Sequence, residues 1–315
     1  MKRRDFIQHS LVGVTAGMAL PWEAWAGSDR LGEQKLTILH TNDTHSRIEP
    51  FPDDGSRNAG AGGMARRAAL IARIRQQEPH VLLLDSGDIF QGTPYFNFFG
   101  GELEYKLMSR MQYDAATLGN HDFDNGLDGL ARQLPHARFP FLVANYDFSQ
   151  TPLKNQFQPY RVFKKAGLKI GIFGLGIELK GLVFEKSYGK TVYLDPIDMA
   201  RQTVAELQRK GCDLLICLSH LGYRYDNSRV SDHTLAQNVD GIDLILGGHT
   251  HTFLDQPTLL RSPNGNQVVV NQVGWAGIRL GRIDYTFQAA SRRKKVSGTS
   301  LLISEEIEPK MASTR

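Results

Sequence analysis

The sequence predicts an α/β fold with a mixed sheet system, and three observations carry that prediction. Apolar, β-rich runs alternate with helical patterns, several of those runs are apolar at every position, and two segments have the form of antiparallel hairpins. The runs are Leu36 to Leu39, Val81 to Leu84, Ala115 to Leu118, Phe141 to Ala144, Ile170 to Leu175, Leu214 to Leu218, Leu244 to Leu246 and Val268 to Val270. A run without polar alternation is that of a strand covered on both faces. Between the runs, Met64 to Gln77 and Asp195 to Lys210 read as helices. The second has Asp195 as N-cap and Pro196 in the first turn. Ile197, Ala200, Val204 and Leu207 lie along one face, and Gly211 stands at the end. Such alternation is the pattern of α/β architecture.

The hairpins are Arg161 to Leu175 around Ala166-Gly167 and Ile278 to Ile303 around a basic cluster, Arg292, Arg293, Lys294 and Lys295. That cluster and the N-terminal segment hold the excess behind the net charge of +4. It reads as a solvated turn, and no basic stripe interleaved with aromatics is present, so a nucleic-acid polymer is not the expected partner. At 315 residues, with 41% hydrophobic and 22% charged content, the chain can bury a sizeable core. Gly55 to Gly63 is a Gly-rich loop, and no repeat, linker or interior domain boundary is visible.

The first residues form an export address. Lys2, Arg3 and Arg4 precede Asp5, Phe6 and Ile7, then an apolar run from Leu11 to Leu20 and the triplet Ala24-Trp25-Ala26. These are the charged region, apolar region and cleavage site of a signal peptide. The Arg pair followed by Phe and Ile resembles a bacterial twin-arginine signal. Residues 1–26 are therefore expected to pass the chain to the twin-arginine export machinery. Cleavage after Ala26 would leave a soluble periplasmic domain over 27–315. The run is shorter than the roughly 20 apolar residues that a bilayer needs, and no cysteine offers a lipid attachment point, so no stable membrane anchor is expected. The two cysteines, Cys212 and Cys217, have an odd spacing that puts them on opposite strand faces, which predicts free thiols.

Five polar clusters stand at the carboxyl ends of apolar runs, the edge where α/β sheets build sites. They are Asn42-Asp43-Thr44-His45, Gly87-Asp88, Gly119-Asn120-His121-Asp122-Phe123-Asp124, Ser219-His220 and Gly247-Gly248-His249-Thr250-His251. One Asp or His at a strand end is ordinarily a helix cap or a satisfied polar group. Here His45, His121, His220, His249 and His251, half of the ten histidines, fall in these clusters. Their coincidence predicts a shared metal centre. Imidazole and carboxylate donors suit borderline divalent ions such as Zn, Mn, Fe, Co or Ni. The Asp-x-His and His-x-His pairs would deliver both side chains to one centre from extended backbone. A bridging carboxylate would hold two ions roughly 3.5 to 4 Å apart.

With these residues in view, the chain resembles the calcineurin-like metallophosphoesterase superfamily, and within it the catalytic domain of bacterial 5'-nucleotidases. Asp43-x-His45, Gly87-Asp88, Gly119-Asn120-His121-Asp122, Ser219-His220 and Gly248-His249-x-His251 carry the resemblance over most of the mature chain. It implies a four-layer sandwich of two mixed β-sheets flanked by helices. Asp43, His45, Asp88 and His251 would hold one divalent ion, and Asp88, Asn120, His220 and His249 the other, with Asp88 as the bridge. His121, oriented by Asp124, would face the phosphate of a small phosphorylated substrate beside Asn120. Hydroxide on the metals would attack phosphorus in line. The implied reaction is hydrolysis of phosphomonoesters such as 5'-nucleotides, or of cyclic phosphodiesters. Where the family often has Gln or Asn, this chain has His251. A chain ending at Arg315 is also expected to leave no room for the family's nucleotide-binding C-terminal domain.

Other residues receive plainer readings. Asp85 and Asp122 brace loops, Arg66 and Arg67 lie on a solvated helix face, and Arg224 is an exposed loop arginine. The aromatic stretch Thr93 to Phe99 packs in the core rather than lining a pocket. His40, His80, His136 and His233 are ordinary core or surface residues, and His9 lies in the signal. Two rival functions remain: a thiosulfohydrolase-like attack on sulfur esters, and a metal-binding scaffold without turnover. The His121 and Asp124 pair argues against the scaffold, since pure binding needs neither.

Overall fold

The structure, a computed structural model, describes residues 33–288 and 294–307. The export segment, Arg292 and Arg293 lie outside the described residues. The described chain falls almost wholly in one compact unit, Lys35–Tyr285 with Val296–Arg315. A second, small unit takes in Met1–Gln34 and Thr286–Lys295, and is represented here only by strand ends.

In chain order the strands are β1 (Glu33–Thr41), β2 (Val81–Asp85), β3 (Ala115–Ala116), β4 (Tyr146–Asp147), β5 (Tyr160–Lys165), β6 (Leu168–Leu175) and β7 (Val192–Tyr193). They continue as β8 (Leu214–Ser219), β9 (Leu244–Leu246), β10 (Thr258–Arg261), β11 (Gln267–Asn271), β12 (Arg279–Gln288) and β13 (Lys294–Leu302). The helices are α1 (Met64–Gln77), α2 (Pro94–Phe99), α3 (Glu102–Arg110), α4 (Gly126–Gln133), α5 (Glu185–Tyr188), α6 (Pro196–Arg209) and α7 (Asp232–Asn238). None is long and apolar enough to cross a membrane.

Two main sheets result, with strand orders β13-β12-β1-β2-β3 and β10-β11-β9-β8-β6-β5. In the first, β1, β2 and β3 run parallel. In the second, β6, β8, β9 and β11 are parallel, with antiparallel strands at both edges. The β5–β6 edge is the hairpin expected around Ala166-Gly167. Helix α6 is also as expected, with the Asp195 carboxylate accepting from the Asp198 amide at 2.9 Å. Cys212 and Cys217 are free.

Alternation along β1 assigns its two faces. Leu39 joins a core with Leu83, with Met64, Leu70, Ile71 and Ile74 of α1, and with Tyr105 and Met108 of α3. On the opposite face, His40 meets Asn271 of the second sheet, with His40 Nε2 2.8 Å from the amide nitrogen. The outer side of the second sheet is covered in the same way: Phe173, Leu215 and Cys217 pack on Ala200, Val204 and Leu207 of α6 and Leu235 of α7. The layers are thus helix, sheet, sheet, helix.

Two expected strands differ. Phe141 to Ala144 forms no ladder because its successive amides go to different neighbours: Leu142 to Ala116, Val143 to Gln158 and Ala144 to Gly174, each at 2.8 Å. The segment is a strap between β3 and β6. It lies so close that a Cβ at Gly174 would sit 1.8 Å from the Leu142 carbonyl oxygen. Strand β3 is only two residues long because its partner β2 ends at Asp85.

Arg67 also departs from expectation. It is buried rather than solvated, because Met64, Arg67, Leu70, Ile71 and Ile74 share the inner face of α1. The i, i+3, i+4, i+7 spacing carries it inward. Its charge lies close enough to the buried Asp85 to oppose that carboxyl's upward shift.

Burial pushes the His40 imidazole down to about 3. The folded chain therefore keeps it neutral, while the unfolded chain takes a proton below the ordinary value of roughly 6.5, so folding stability falls as pH drops from there towards 3. Urea unfolding at pH 7 and pH 5 should show a loss of about 2 kcal/mol from this group. His40→Gln should remove that part of the difference. An unchanged difference would mean that His40 is not the group responsible.

Candidate metal centre

The strand-end clusters converge at one edge of the two sheets. From the first sheet come the loops after β1, β2 and β3, bearing Asp43 and His45, Asp88, and Asn120. From the second come His220 after β8, and His249 and His251 after β9. Two groups form, each with donor atoms within 4.8 Å of one another: Asp43, His45 and His251, and Asp88, His220 and His249. Each takes ligands from both sheets.

The pairing mechanism differs from the expected one. Asp43, His45, Asp88, His249 and His251 have φ of 49°, 47°, 54°, 70° and 52°. These are left-handed conformations that non-glycine residues adopt rarely and at a cost. Extended backbone therefore does not aim the pairs. Tight turns do, and cross-loop hydrogen bonds hold them. The Asp43 amide donates to the Gly87 carbonyl at 2.9 Å and the His45 amide to the Asp88 carbonyl at 3.1 Å. The His249 amide donates to both Asp43 oxygens at 3.0 Å. At Gly248 a Cβ would stand 2.8 Å from His220 Nδ1 and 3.1 Å from Asp43 Oδ2, so glycine lets the two loops close on each other.

Within the first group, His45 Nε2 and His251 Nε2 are 3.0 Å apart, and His251 Nε2 is 3.4 Å from Asp43 Oδ1. Within the second, His220 Nε2 is 3.1 Å from Asp88 Oδ2, and His249 Nδ1 is 2.8 Å from Asn120 Oδ1. Asp88 also faces the first group, at 3.9 Å from His45 Nε2. Two imidazoles are fixed from behind: His220 Nδ1 donates to the Ser86 carbonyl at 2.7 Å and His45 Nδ1 to the Phe90 carbonyl at 3.2 Å. That tautomer turns the Nε2 lone pairs inward, as ligating histidines require. His220 Nε2 is fully buried without a hydrogen-bond partner, 3.1 Å from Asp88 Oδ2. An orphaned, inward-facing imidazole nitrogen beside two buried carboxylates is what a pair of divalent cations would satisfy. The donor set fits.

The titration behaviour reports the same demand for positive charge. Burial pushes the Asp88 carboxyl up, but His220, and behind it His45 and His121, more than offset this and hold it well below the usual carboxylate range. Burial would lower His220, yet Asp88 and Asp43 raise it to about 10. Burial, then the His220 charge, lowers His249 to about 4.

His121 stands beside the first group, its ring edge-on to His45 at 5.3 Å. Its amide donates to Asp88 Oδ1 at 2.7 Å, and its Nδ1 lies 2.8 Å from Asp124 Oδ2. The hydrogen bond to Asp124 raises the imidazole above its ordinary value, against burial and with help from Asp88. His121 and Asp124 are only partly covered, so the pair sits at the open edge of the centre.

Around the ligands runs a layer of braces. Asp122 accepts from the amides of Gly119, Asp88, Ile89 and Phe90 at 2.8, 3.1, 3.1 and 3.3 Å, tying the second and third loops together. Asp85 accepts from the Gly87 amide at 2.9 Å and from Thr41 Oγ1 at 2.5 Å. Sequence reasoning missed three further braces. Asn42 donates to the Gly274 carbonyl at 2.6 Å and accepts from the Val273 amide at 3.0 Å. Trp275 stacks on the His251 ring, centroids 5.7 Å apart and planes 9° apart. Asp232, fully buried, accepts from Ser219 Oγ at 2.5 Å behind His220. Gln272 to Trp275 directly follow the apolar run of β11, so the strand-end signal that found the other clusters was present there too. Arg224 is exposed, as expected.

A calcineurin-like phosphoesterase family model matches residues 36–253. The chain belongs to that family. Among curated relatives, the snake venom 5'-nucleotidase of Crotalus adamanteus is 35% identical over 306 residues, covering 91% of this chain and 51% of that protein. The 5'-nucleotidase of Homo sapiens is 34% identical over 299 residues, covering 88% of this chain and 50% of that protein. Among solved structures, a 5'-nucleotidase precursor from Thermus thermophilus superposes with a TM-score of 0.80 at 37% identity, over 87% of this chain and 56% of that one. The chain spans about half the length of the curated relatives it matches. The matched span contains every ligand candidate named above.

Because four amides from two loops depend on one buried carboxylate, Asp122→Ala should cost about 3 kcal/mol of unfolding free energy. It should also reduce the metal retained after gel filtration, measured by elemental analysis. Full stability and full metal content in that variant would show that Asp122 does not brace the centre.

Proposed function

We propose that this calcineurin-like phosphoesterase is an exported hydrolase that cleaves phosphate esters with two divalent ions, acting on small phosphomonoesters such as 5'-nucleotides. One observation carries the reading: two ligand groups, each drawing on both sheets, meet at the buried Asp88, which belongs to one and stands 3.9 Å from His45 of the other, with the His121–Asp124 pair at their open edge. Asp43, His45, Asp88 and His251 would hold one ion, and Asp88, Asn120, His220 and His249 the other. Bound there, a pair of divalent ions would polarise the phosphoryl oxygens and acidify water. The chain's own residues do the rest. Asn120 and His121 orient the phosphate at the open edge. His121 delivers a proton to the leaving oxygen while its Nδ1–H stays on Asp124. The 5'-nucleotidase relatives support the substrate class, and the Arg3-Arg4 signal pattern supports twin-arginine export to the periplasm.

Purified protein lacking residues 1–26 should release inorganic phosphate from AMP or aryl phosphates with added manganese or zinc, and lose that activity to a chelator. Release of sulfate from thiosulfonate substrates in place of phosphate would favour the sulfur-ester reading. Inertness of metal-loaded protein toward every ester would favour a scaffold. His121→Ala should keep its metals and lose on the order of 10²- to 10⁴-fold in kcat, the range of a general acid. Loss of metal from that variant would contradict the role given to His121.

A further inference from the structure

Among the four histidines of the ligand groups, His251 is held differently from the rest. His45 and His220 are anchored through Nδ1 by main-chain carbonyls, and His249 Nδ1 faces Asn120. His251 meets His45 Nε2 at 3.0 Å and Asp43 Oδ1 at 3.4 Å, both through its own Nε2, and no hydrogen bond holds its Nδ1 among the described residues. Its side chain is 40% exposed, against 9% for His45 and 0% for His220. No polar contact from behind therefore fixes the plane of this ring among the described residues.

An indole does so instead. Trp275 lies parallel to the imidazole, with planes 9° and centroids 5.7 Å apart, the geometry of an offset stack. The rings of α2 take no such part: Phe96 packs inward on Phe90, and Phe98 is 82% exposed, contrary to the core packing expected of that stretch. Trp275 is itself fixed. Phe51 meets it edge-on at 5.8 Å, and Ala61, Ala276 and Ile278 complete a small apolar cluster with the two rings. Phe51 precedes the Gly-rich loop and Ala61 lies within it, and the Phe51 amide donates to the Ala61 carbonyl at 2.8 Å. That loop thus closes behind the indole. On the other side, the Ala276 amide donates to the Asp43 carbonyl at 2.7 Å, which ties the segment bearing Trp275 to the first ligand group.

We infer that Trp275 is a positioning residue for His251: its flat face takes the place of the hydrogen bond that ordinarily backs a ligating imidazole, and so sets how firmly the first group retains its ion. Without the indole, the His251 ring would turn about its side-chain bonds and carry Nε2 away from His45 and Asp43. The second group would keep its geometry, because His220 is buried against Asp88 and anchored on Ser86. Trp275 therefore acts on one ion of the pair. This inference rests on the two-ion reading above.

The test is manganese binding to the metal-free full chain, measured by competition with a chelating indicator dye. The wild type should bind two ions. Trp275→Leu keeps apolar bulk without the flat face; it should weaken one ion about 10- to 100-fold, the range for lost partners of ligating histidines, and leave the other unchanged. Trp275→Phe keeps a flat ring and should restore most of that loss. Equal binding by the Leu and Phe variants, or equal weakening of both ions in folded Leu variant, would overturn the positioning role and leave the two-ion reading intact. A wild type that binds fewer than two ions would remove both. A second readout keeps the indole in place. The other tryptophans are Trp22 and Trp25, so in the Trp22→Phe/Trp25→Phe chain the emission comes from Trp275 alone. Cobalt binding should quench it. Two bound cobalt ions with unchanged emission would show that the indole does not back a ligand, and would overturn the inference.

Discussion

The structure depends on burying carboxylates where two sheets meet. Asp43 and Asp88 are almost wholly removed from water, and an isolated carboxylate in such a place costs several kcal/mol unless positive charge or hydrogen bonds compensate it. No lysine or arginine makes an ion pair with either among the described residues. Compensation comes from histidines and from backbone amides, which leaves the positive charge adjustable. An arginine would fill the site permanently. Imidazoles can give up a proton and offer the same nitrogen to a cation.

That demand shapes the fold around it. Each ligand group draws on both sheets, so the centre fastens one sheet to the other at the edge where the parallel strands end. The loops close tightly enough that five ligand candidates have positive φ, strain that the surrounding structure must over-determine. Asp122, Asn42 and Asp85 do so through hydrogen bonds to loop amides and neighbouring polar groups, and glycine at 248 does so by yielding space. The open edge is left to His121 and Asp124, the partly exposed pair.

Much of this was legible in the sequence because strand ends are easy to read. A run such as Val81 to Leu84 followed by Gly87-Asp88 states both the strand and the residue at its carboxyl end. The parallel order then brings such ends together. What failed were inferences that need local backbone or three-dimensional packing. The i, i+2 rule for Asp43 and His45 assumed extended backbone, whereas the turn is left-handed. Arg67 looked solvated by its charge, but its helical phase with Met64 and Ile71 carries it inward. Phe141 to Ala144 has the composition of a strand, and only its divided hydrogen bonding shows it to be a strap. The stack of Trp275 on His251 joins residues from loops after different strands, and composition says nothing about such a meeting.

The measurement closest to the central claim is anomalous scattering from crystals of the chain grown with manganese. The account predicts two peaks roughly 3.5 to 4 Å apart, the spacing of paired ions in such centres, with the Asp88 carboxylate between them. One peak belongs among Asp43, His45 and His251, and the other among His220, His249 and Asn120. A single peak, or two that do not share Asp88, would contradict it.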